Sequence, residues 1–190
     1  MTKIAIIGGS GMLGGMLVEY FSKQPGYEVV ATVRNDAYLR RAQKALPDVQ
    51  WVIAGADHKN YSIDLDLIPQ CSWIINAIGI IKPLIRDDNP EEVQRAIWIN
   101  GVLPHRIGEM AHKVGAKVLQ IATDCVYSGQ KGNYVETDPH DALDVYGKTK
   151  SLGECYLANI KHLRCSIIGP EVKDHRSLLD WFLGQPRETT

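Results

Sequence analysis

The 190-residue sequence lacks several features that would place it in a specialised class of protein. No apolar run reaches membrane-spanning length, and 21 basic against 22 acidic residues give a net charge of −1, without the basic excess of a nucleic-acid-binding domain. The four cysteines include no close pair, and neither they nor the six histidines show metal-ligand spacing. We therefore expect a cytoplasmic globular protein without disulfides, a bound metal, a nucleic-acid partner or a membrane segment.

Short apolar runs alternate with helical patterns along the chain. Strands are predicted at residues 3–7, 27–33, 49–53, 73–77, 117–122 and 162–168. Helices are predicted at 12–23, at 36–45, at 90–114 with an interruption near 101–104, from 146 onward, and at 177–183. Strands that are apolar throughout belong in a parallel sheet covered on both faces. The pattern predicts a doubly wound α/β sheet, a Rossmann fold, with about six strands.

A glycine-rich loop follows the first predicted strand and leads into the first helix. Gly8 permits a tight turn, Gly11 lets a pyrophosphate approach the backbone, and Gly14 lets the helix pack closely on the sheet. The N-terminus of that helix offers N–H groups and a positive dipole end to phosphates. This strand–loop–helix context predicts a dinucleotide site with these loop residues as contacts: Gly8, Ser10, Gly11, Met12, Leu13 and Gly14.

The choice of dinucleotide is read at the end of the second strand. An acidic residue there suits the ribose hydroxyls of NAD, whereas an arginine suits the 2′-phosphate of NADP. Arg34 occupies this position and Thr32 is small and neutral, which favours NADP(H). A plain surface role for Arg34 is the alternative, and the nearby Asp36 leaves room for NAD(H).

Two further segments are candidates for cofactor contact. Asp57 follows the third strand, where its carboxylate would accept a hydrogen bond from the adenine amino group. The alternative is a solvated acidic residue in a loop. Asn76, Ala77 and Ile78 end the fourth strand. Small residues at this strand end would let a cofactor ribose lie against the backbone. The following Gly79 would otherwise be only a turn at the strand end.

Tyr146 and Lys150 are four residues apart at the start of a predicted helix, so they share one face. A cation beside a phenol favours the phenolate and makes the tyrosine a better acid or base near neutral pH. Tyr127 and Lys131 have the same spacing but lie in a glycine-rich loop, where they need not meet. The helical pattern after Tyr146 continues to about residue 160. The alternative is an amphipathic helix with a solvated lysine.

Taken together, these residues resemble the extended short-chain dehydrogenase/reductase superfamily, and within it the dTDP-4-dehydrorhamnose reductase branch. The resemblance covers roughly residues 1–170. Its marks are the glycine loop, Asn-Ala-x-Gly at 76–79, Trp-Ile-Asn at 98–100, Ala-Thr-Asp-Cys-Val-Tyr-Ser-Gly at 122–129, Tyr146, Lys150, Gly-Glu at 153–154 and Leu-Arg-Cys-Ser at 163–166.

The resemblance implies catalytic roles for four residues. Tyr146 would protonate a carbonyl oxygen, Lys150 would hold the nicotinamide ribose and lower the tyrosine pKa, and Thr123 would hydrogen-bond the substrate oxygen. Asn100 matches a helix asparagine that supports a proton relay in many relatives. Tyr146 and Lys150 therefore also count as cofactor contacts. Thr123 could instead merely end a strand, and Asn100 could mark a helix irregularity before Pro104.

Cys125 helps to choose the reaction within this family. The nucleotide-sugar dehydratases carry a glutamate at this place, and a cysteine cannot supply a carboxyl acid. The resemblance therefore implies an NADPH-dependent reductase of a 4-keto-deoxysugar nucleotide. A non-catalytic NADP-binding regulatory subunit and an epimerase-like enzyme with tightly bound cofactor are the alternatives, and homo-oligomerisation is left open.

The domain division follows from the same resemblance. Residues 1–170 are expected to form the NAD(P)-binding Rossmann domain, and 171–190 the start of a C-terminal substrate lobe that is short or missing. We expect Trp181, Phe182 and Leu183 to be buried against the domain's own sheet; exposure at an interface is the alternative.

Overall fold

Six parallel strands form the centre of the molecule, in the order β3-β2-β1-β4-β5-β6. The computed structural model describes residues 1–55, 71–169 and 178–185. The strands are β1 (Thr2–Ile7), β2 (Tyr27–Val33), β3 (Gln50–Ile53), β4 (Trp73–Asn76), β5 (Lys117–Ala122) and β6 (Ile160–Arg164). The strand order reverses direction between β1 and β4, and a ligand crevice is expected outside the carboxyl ends of strands at such a point.

The described residues form six α-helices, of which the first five lie in the connections between strands and the sixth follows β6. They are α1 (Met12–Ser22), α2 (Asp36–Ala45), α3 (Pro90–Ala96), α4 (Leu103–Lys113), α5 (Val145–Leu152) and α6 (Leu178–Leu183). A π-helical segment, Ile97–Val102, joins α3 to α4 without a break. None of the described helices is long and apolar enough to cross a membrane.

Successive residues of a strand point to opposite sides of the sheet. Consecutive residues are buried in β1, β2 and β4, so the central part of the sheet is covered on both faces. Ile4 and Ile6 of β1 pack on one side with Val18 of α1. Ala5 and Ile7 pack on the other side in a core that includes residues of α4. The predicted doubly wound parallel sheet with a Rossmann-like fold is therefore confirmed, and so is its strand number.

Three local predictions need correction. Helix α5 ends at Leu152 instead of continuing to about residue 160, because its C-cap is Gly153 and glycine is a poor helix former. A Cβ on Gly153 would overlap the carbonyl of Asn100. The chain then turns and enters β6 at Ile160, two residues before the predicted strand start, and β6 ends at Arg164. The predicted interruption near 101–104 is the π-helical segment; Pro104 sits in the first turn of α4.

A further correction concerns the last helix. Trp181, Phe182 and Leu183 are 59%, 67% and 69% exposed, so they are not buried against the sheet as we expected.

Candidate functional site

A cleft of about 410 Å³ opens at the carboxyl ends of β1, β2, β3 and β4. It lies at the point where the strand order reverses. Its walls come from the glycine loop, the ends of β2, β3 and β4, and helix α3 with the π-helical segment. The lining residues are Gly8, Ser10, Gly11, Thr32, Val33, Arg34, Ala54, Gly55, Ala77, Ile78, Gly79, Ile80, Leu84, Arg95 and Ile99.

The glycine loop forms the floor of this cleft. Gly8 has a φ of +91°, which favours glycine, and its N–H donates to Oγ1 of Thr32 at 3.0 Å. A Cβ on Gly14 would overlap the carbonyl oxygen of Gly8, so only glycine lets α1 start this close to the strand. Among the described residues, no side chain caps α1 at Gly11. The N–H groups of the first turn are therefore left for a ligand.

The predicted loop contacts divide into two groups. Gly8, Ser10 and Gly11 line the cleft. Met12, Leu13 and Gly14 form the first turn of α1 and do not line it. For Met12, Leu13 and Gly14, the prediction is therefore a contact through the backbone N–H groups at the start of the helix.

Arg34 follows the last residue of β2 and lines the cleft. Its guanidinium carbon lies 5.5 Å from the centre of the Tyr38 ring. Thr32 is 1% exposed and holds the glycine loop through its hydroxyl. Asp36 is the first residue of α2, and Asp57 lies outside the described residues.

The end of β4 contributes backbone to the opposite wall. Ala77 and Ile78 line the cleft, but Asn76 does not. Asn76 is fully buried; its Nδ2 donates to Oε1 of Gln120 at 2.8 Å, and its Oδ1 accepts from the N–H of Ile78 at 3.1 Å. The structure thus gives Asn76 a role in shaping the strand end.

Helix α5 presents Tyr146 next to Thr123. The Asp144 carboxylate caps the helix by accepting from the N–H of Gly147 at 2.9 Å. Gly147 packs against the carbonyl of Cys125 so closely that a Cβ would not fit. This contact brings the start of α5 against the turn that follows β5. Thr123 is buried there beside Tyr146, and its hydroxyl oxygen accepts from the N–H of Cys125 at 3.2 Å.

Lys150 lies one turn further along α5. Its Nζ donates to the carbonyl of Ile121 at 2.8 Å. A Cβ built on Gly79, which lines the cleft, would come within 4.0 Å of this Nζ, so the ammonium lies at one end of the cleft. Burial lowers the pKa of Lys150, and the negative charge of Glu154 opposes that shift.

The pKa of Tyr146 is raised above its usual value, mainly by burial. The Thr123 side chain lowers the pKa, while the charges of Cys125 and Asp124 raise it further. The expected lowering by Lys150 is therefore not the net result. A phenol with a raised pKa keeps its proton at neutral pH, which suits a proton donor.

Asn100 connects the cleft wall to helix α5. Its Oδ1 accepts from the N–H of Ile80 at 2.8 Å, and its Nδ2 donates to the carbonyl of Ile80 at 3.0 Å and to Oγ1 of Thr149 at 3.3 Å. The side chain is 2% exposed. The proton-relay role stays a prediction; the geometry shows that Asn100 fixes the segment after β4 beside α5.

A buried ion pair that we did not predict holds the end of α5 onto β6. Nη2 of Arg164 donates to both carboxylate oxygens of Glu154, at 2.8 and 2.7 Å. It also lies 2.9 Å from Nε2 of His140, whose Nδ1 is 2.7 Å from Oγ of Ser151. Because a guanidinium only donates, Nε2 accepts and Nδ1 carries the ring proton. Gly153-Glu154 and Arg164 were marks of the family resemblance, but their pairing has no signal in the sequence.

The second Tyr/Lys pair has a different setting. Tyr127 lies in the loop after β5, stacks on Tyr134 with ring centres 4.6 Å apart, and donates its hydroxyl proton to the carbonyl of Val135 at 3.1 Å. Lys131 pairs with Asp138. The prediction that this copy is a loop is confirmed.

Comparison with known proteins identifies the family. The family model for the RmlD substrate binding domain matches residues 1–168. The chain belongs to this family, within the extended short-chain dehydrogenases/reductases. The resemblance stated from the sequence is therefore confirmed.

Individual relatives agree with this assignment. The chain is 31% identical over 156 residues to the spore coat polysaccharide biosynthesis protein SpsK of Bacillus subtilis, covering 81% of this chain and 47% of that protein. It is 28% identical over 161 residues to dTDP-4-dehydrorhamnose reductase of Aggregatibacter actinomycetemcomitans, covering 84% and 48%. The chain thus spans about half the length of these curated relatives.

A solved structure supports the fold. The Bordetella bronchiseptica enzyme WbmG in complex with NAD superposes with a TM-score of 0.68 at 20% identity, covering 88% of this chain and 54% of that chain.

Proposed function

We propose that this chain forms the dinucleotide-binding and proton-donating part of an NADPH-dependent reductase of a 4-keto-deoxysugar nucleotide. The observation that carries the proposal is the arrangement of helix α5, which places Tyr146 beside Thr123 and the Lys150 ammonium next to Gly79 of the cleft wall. Membership of the RmlD family and similarity to a dTDP-4-dehydrorhamnose reductase support the substrate class. The dinucleotide domain is assigned to residues 1–170, with 171–190 assigned to the start of a substrate lobe.

The residues of the cleft fit a dinucleotide. The free N–H groups at the start of α1 would bind the pyrophosphate. Arg34 would pair with a 2′-phosphate, since a guanidinium forms bidentate bonds to phosphate oxygens. Lys150 would donate to the ribose hydroxyls at the nicotinamide end. The nicotinamide, when bound, supplies the hydride.

The remaining chemistry belongs to the chain's own side chains. Tyr146 holds a proton at its phenol oxygen and donates it to the substrate carbonyl oxygen as negative charge develops there. Thr123 orients that phenol and hydrogen-bonds the same substrate oxygen. The Lys150 ammonium then stabilises the phenolate that remains.

Cys125 favours reduction over elimination. It is exposed and lines, together with Asp124, Tyr127 and Arg164, a second depression of about 440 Å³ beside the turn after β5. A thiol at this place offers no carboxyl acid for removing water from the sugar. A keto group bound near Tyr146 would therefore be reduced without dehydration.

The test combines titration with turnover. The chain is titrated with NADPH and NADH, and NADPH oxidation is then followed with 4-keto-6-deoxy nucleotide sugars. Tyr146→Phe should abolish turnover and leave NADPH affinity largely intact, while the control Tyr127→Phe should retain turnover. Arg34→Asp should weaken NADPH binding much more than NADH binding.

Each result has a distinct meaning. Binding without turnover would favour the regulatory subunit, and dinucleotide that copurifies and resists removal would favour an epimerase-like enzyme. Substantial activity in Tyr146→Phe would show that the proton donor is another residue. Equal losses of NADPH and NADH binding in Arg34→Asp would remove the preference for NADP.

A further inference from the structure

Arg95 is a charged residue of the cleft that has no counterpart among the sequence-predicted contacts. It lies on α3 and lines the cleft together with Leu84 and Ile99. Arg34 and Arg95 are the charged side chains in the lining, and no carboxylate occurs among the described lining residues. The described part of the lining is therefore positively charged, although the whole chain has a net charge of −1.

The Arg95 guanidinium is fixed at one end and unsatisfied at another. Its Nη2 donates to the carbonyl of Leu84 at 3.0 Å. Its Nε is buried and has no hydrogen-bond partner among the described residues. The nearest acid on the same helix, Glu92, is already bound by Arg86 through Nη2 at 2.7 Å and Nε at 3.1 Å. Because a ligand in the cleft could not reach this inaccessible Nε, Arg95 would bind a ligand through the terminal N–H groups of its guanidinium.

Arg95 approaches the cleft from a different side than Arg34 does. Arg34 follows β2, next to Ala54 and Gly55 at the end of β3, whereas Arg95 belongs to the crossover after β4. The 2′-phosphate is expected at Arg34. We propose that Arg95 is a second ligand-binding residue, which donates to an oxygen or ring nitrogen in the adenosine diphosphate portion that NADH and NADPH share. This inference rests on the proposed dinucleotide site.

The test compares arginine variants in calorimetric titrations with NADH, NADPH and ADP. Arg95→Leu keeps the length of the apolar stem and removes the guanidinium; it should raise the Kd for all three ligands by about 10-fold, as expected for a lost charge-assisted hydrogen bond. Arg95→Lys should recover part of the loss. Arg41→Leu, on the exposed face of α2, is the matched control and should bind like the wild type.

The outcomes separate this inference from the proposed function. If the wild type binds these ligands and Arg95→Leu binds them with an unchanged Kd, the role of Arg95 is overturned while the proposed dinucleotide site stands. A loss restricted to NADPH would also overturn it, because the contact would then be to the 2′-phosphate. Failure of the wild-type chain to bind any of the three ligands would overturn both proposals. Circular dichroism and thermal unfolding of each variant establish that a lost affinity is not lost folding.

Discussion

Two neighbouring glycines of helix α1 have opposite surroundings. A Cβ on Gly14 would overlap the carbonyl of Gly8, whereas a Cβ on Gly15 would lie 3.4 Å from the carbonyl oxygen of Gly9, an ordinary contact. Gly14→Ala should therefore push α1 away from the loop, lower the free energy of unfolding by about 3 kcal/mol, and weaken dinucleotide binding. Gly15→Ala should raise the free energy of unfolding by about 0.5–1 kcal/mol, since alanine is the better helix former.

Urea unfolding and NADPH titration of both variants measure these effects. The pair is well matched, because both changes add one methyl group to the same helix. If Gly14→Ala bound NADPH like the wild type, the close approach of α1 to the loop would be unimportant for the site.

Residue roles were predictable where they depend on the backbone. Gly8 and Gly14 need only a turn and a close approach, and both follow from the spacing of glycines after a strand. The ligand role of Asn76 and the relay role of Asn100 stay predictions, and the structure adds hydrogen bonds of both amides inside the protein. Hydrogen-bond partners of a buried amide depend on which distant elements pack against it, here Gln120 and Ile80, and a single sequence does not contain that information.

Helix α5 depends on one capping residue that also makes an ion pair. Asp144 Oδ1 accepts from the N–H of Gly147, and Oδ2 pairs with Lys82 at 2.9 Å. Asp144→Ala should lower the free energy of unfolding by about 1 kcal/mol, because the cap is lost. Asp144→Asn keeps the cap and loses only a pair with an exposed lysine, so its effect should stay within about 0.5 kcal/mol.

The same carboxylate gives this effect a pH dependence. Burial raises the pKa of Asp144, but the hydrogen bonds from Gly147 and Lys82 outweigh burial and hold it below the usual value. Its ionised form is therefore stabilised in the folded state, and the contribution is present at neutral pH and lost as the pH falls through that lowered pKa. Urea unfolding at neutral and at strongly acid pH should show the difference between wild type and Asp144→Asn shrinking in acid; a constant difference would contradict this.

Elements were predicted well where periodicity is long and less well at their ends. The first five strands and the helices between them lie within a few residues of the expected positions. Helix α5 was extended too far because apolar residues after Leu152 keep a helical spacing. At its true end, Gly153 packs against the carbonyl of Asn100, a contact between segments 53 residues apart that has no local signature.

On the scale of the whole molecule, the topology followed from apolar strands and right-handed crossovers, and it places the cleft where the strand order reverses. The buried Glu154–Arg164 pair and the position of Arg95 could not be predicted in the same way. Both depend on side chains from elements that are distant in sequence. The fold positions backbone donors predictably, whereas the charged groups around them are fixed only by tertiary packing.

Because the cleft joins β1, β2, β3 and β4 to helix α3, a bound dinucleotide would connect most of the domain. A ligand that binds only the folded state at 100 times its Kd adds about 2.7 kcal/mol of stability. For a chain of 190 residues, this corresponds to a rise in Tm of roughly 5–10 °C.

Thermal unfolding followed by circular dichroism at increasing NADPH should show this rise, growing with the logarithm of concentration. Gly14→Ala at the same concentrations should show a smaller rise. A Tm that does not change with NADPH in the wild type, under conditions where titration detects binding, would mean that the ligand binds the unfolded chain equally well and that the assembled cleft is not its site.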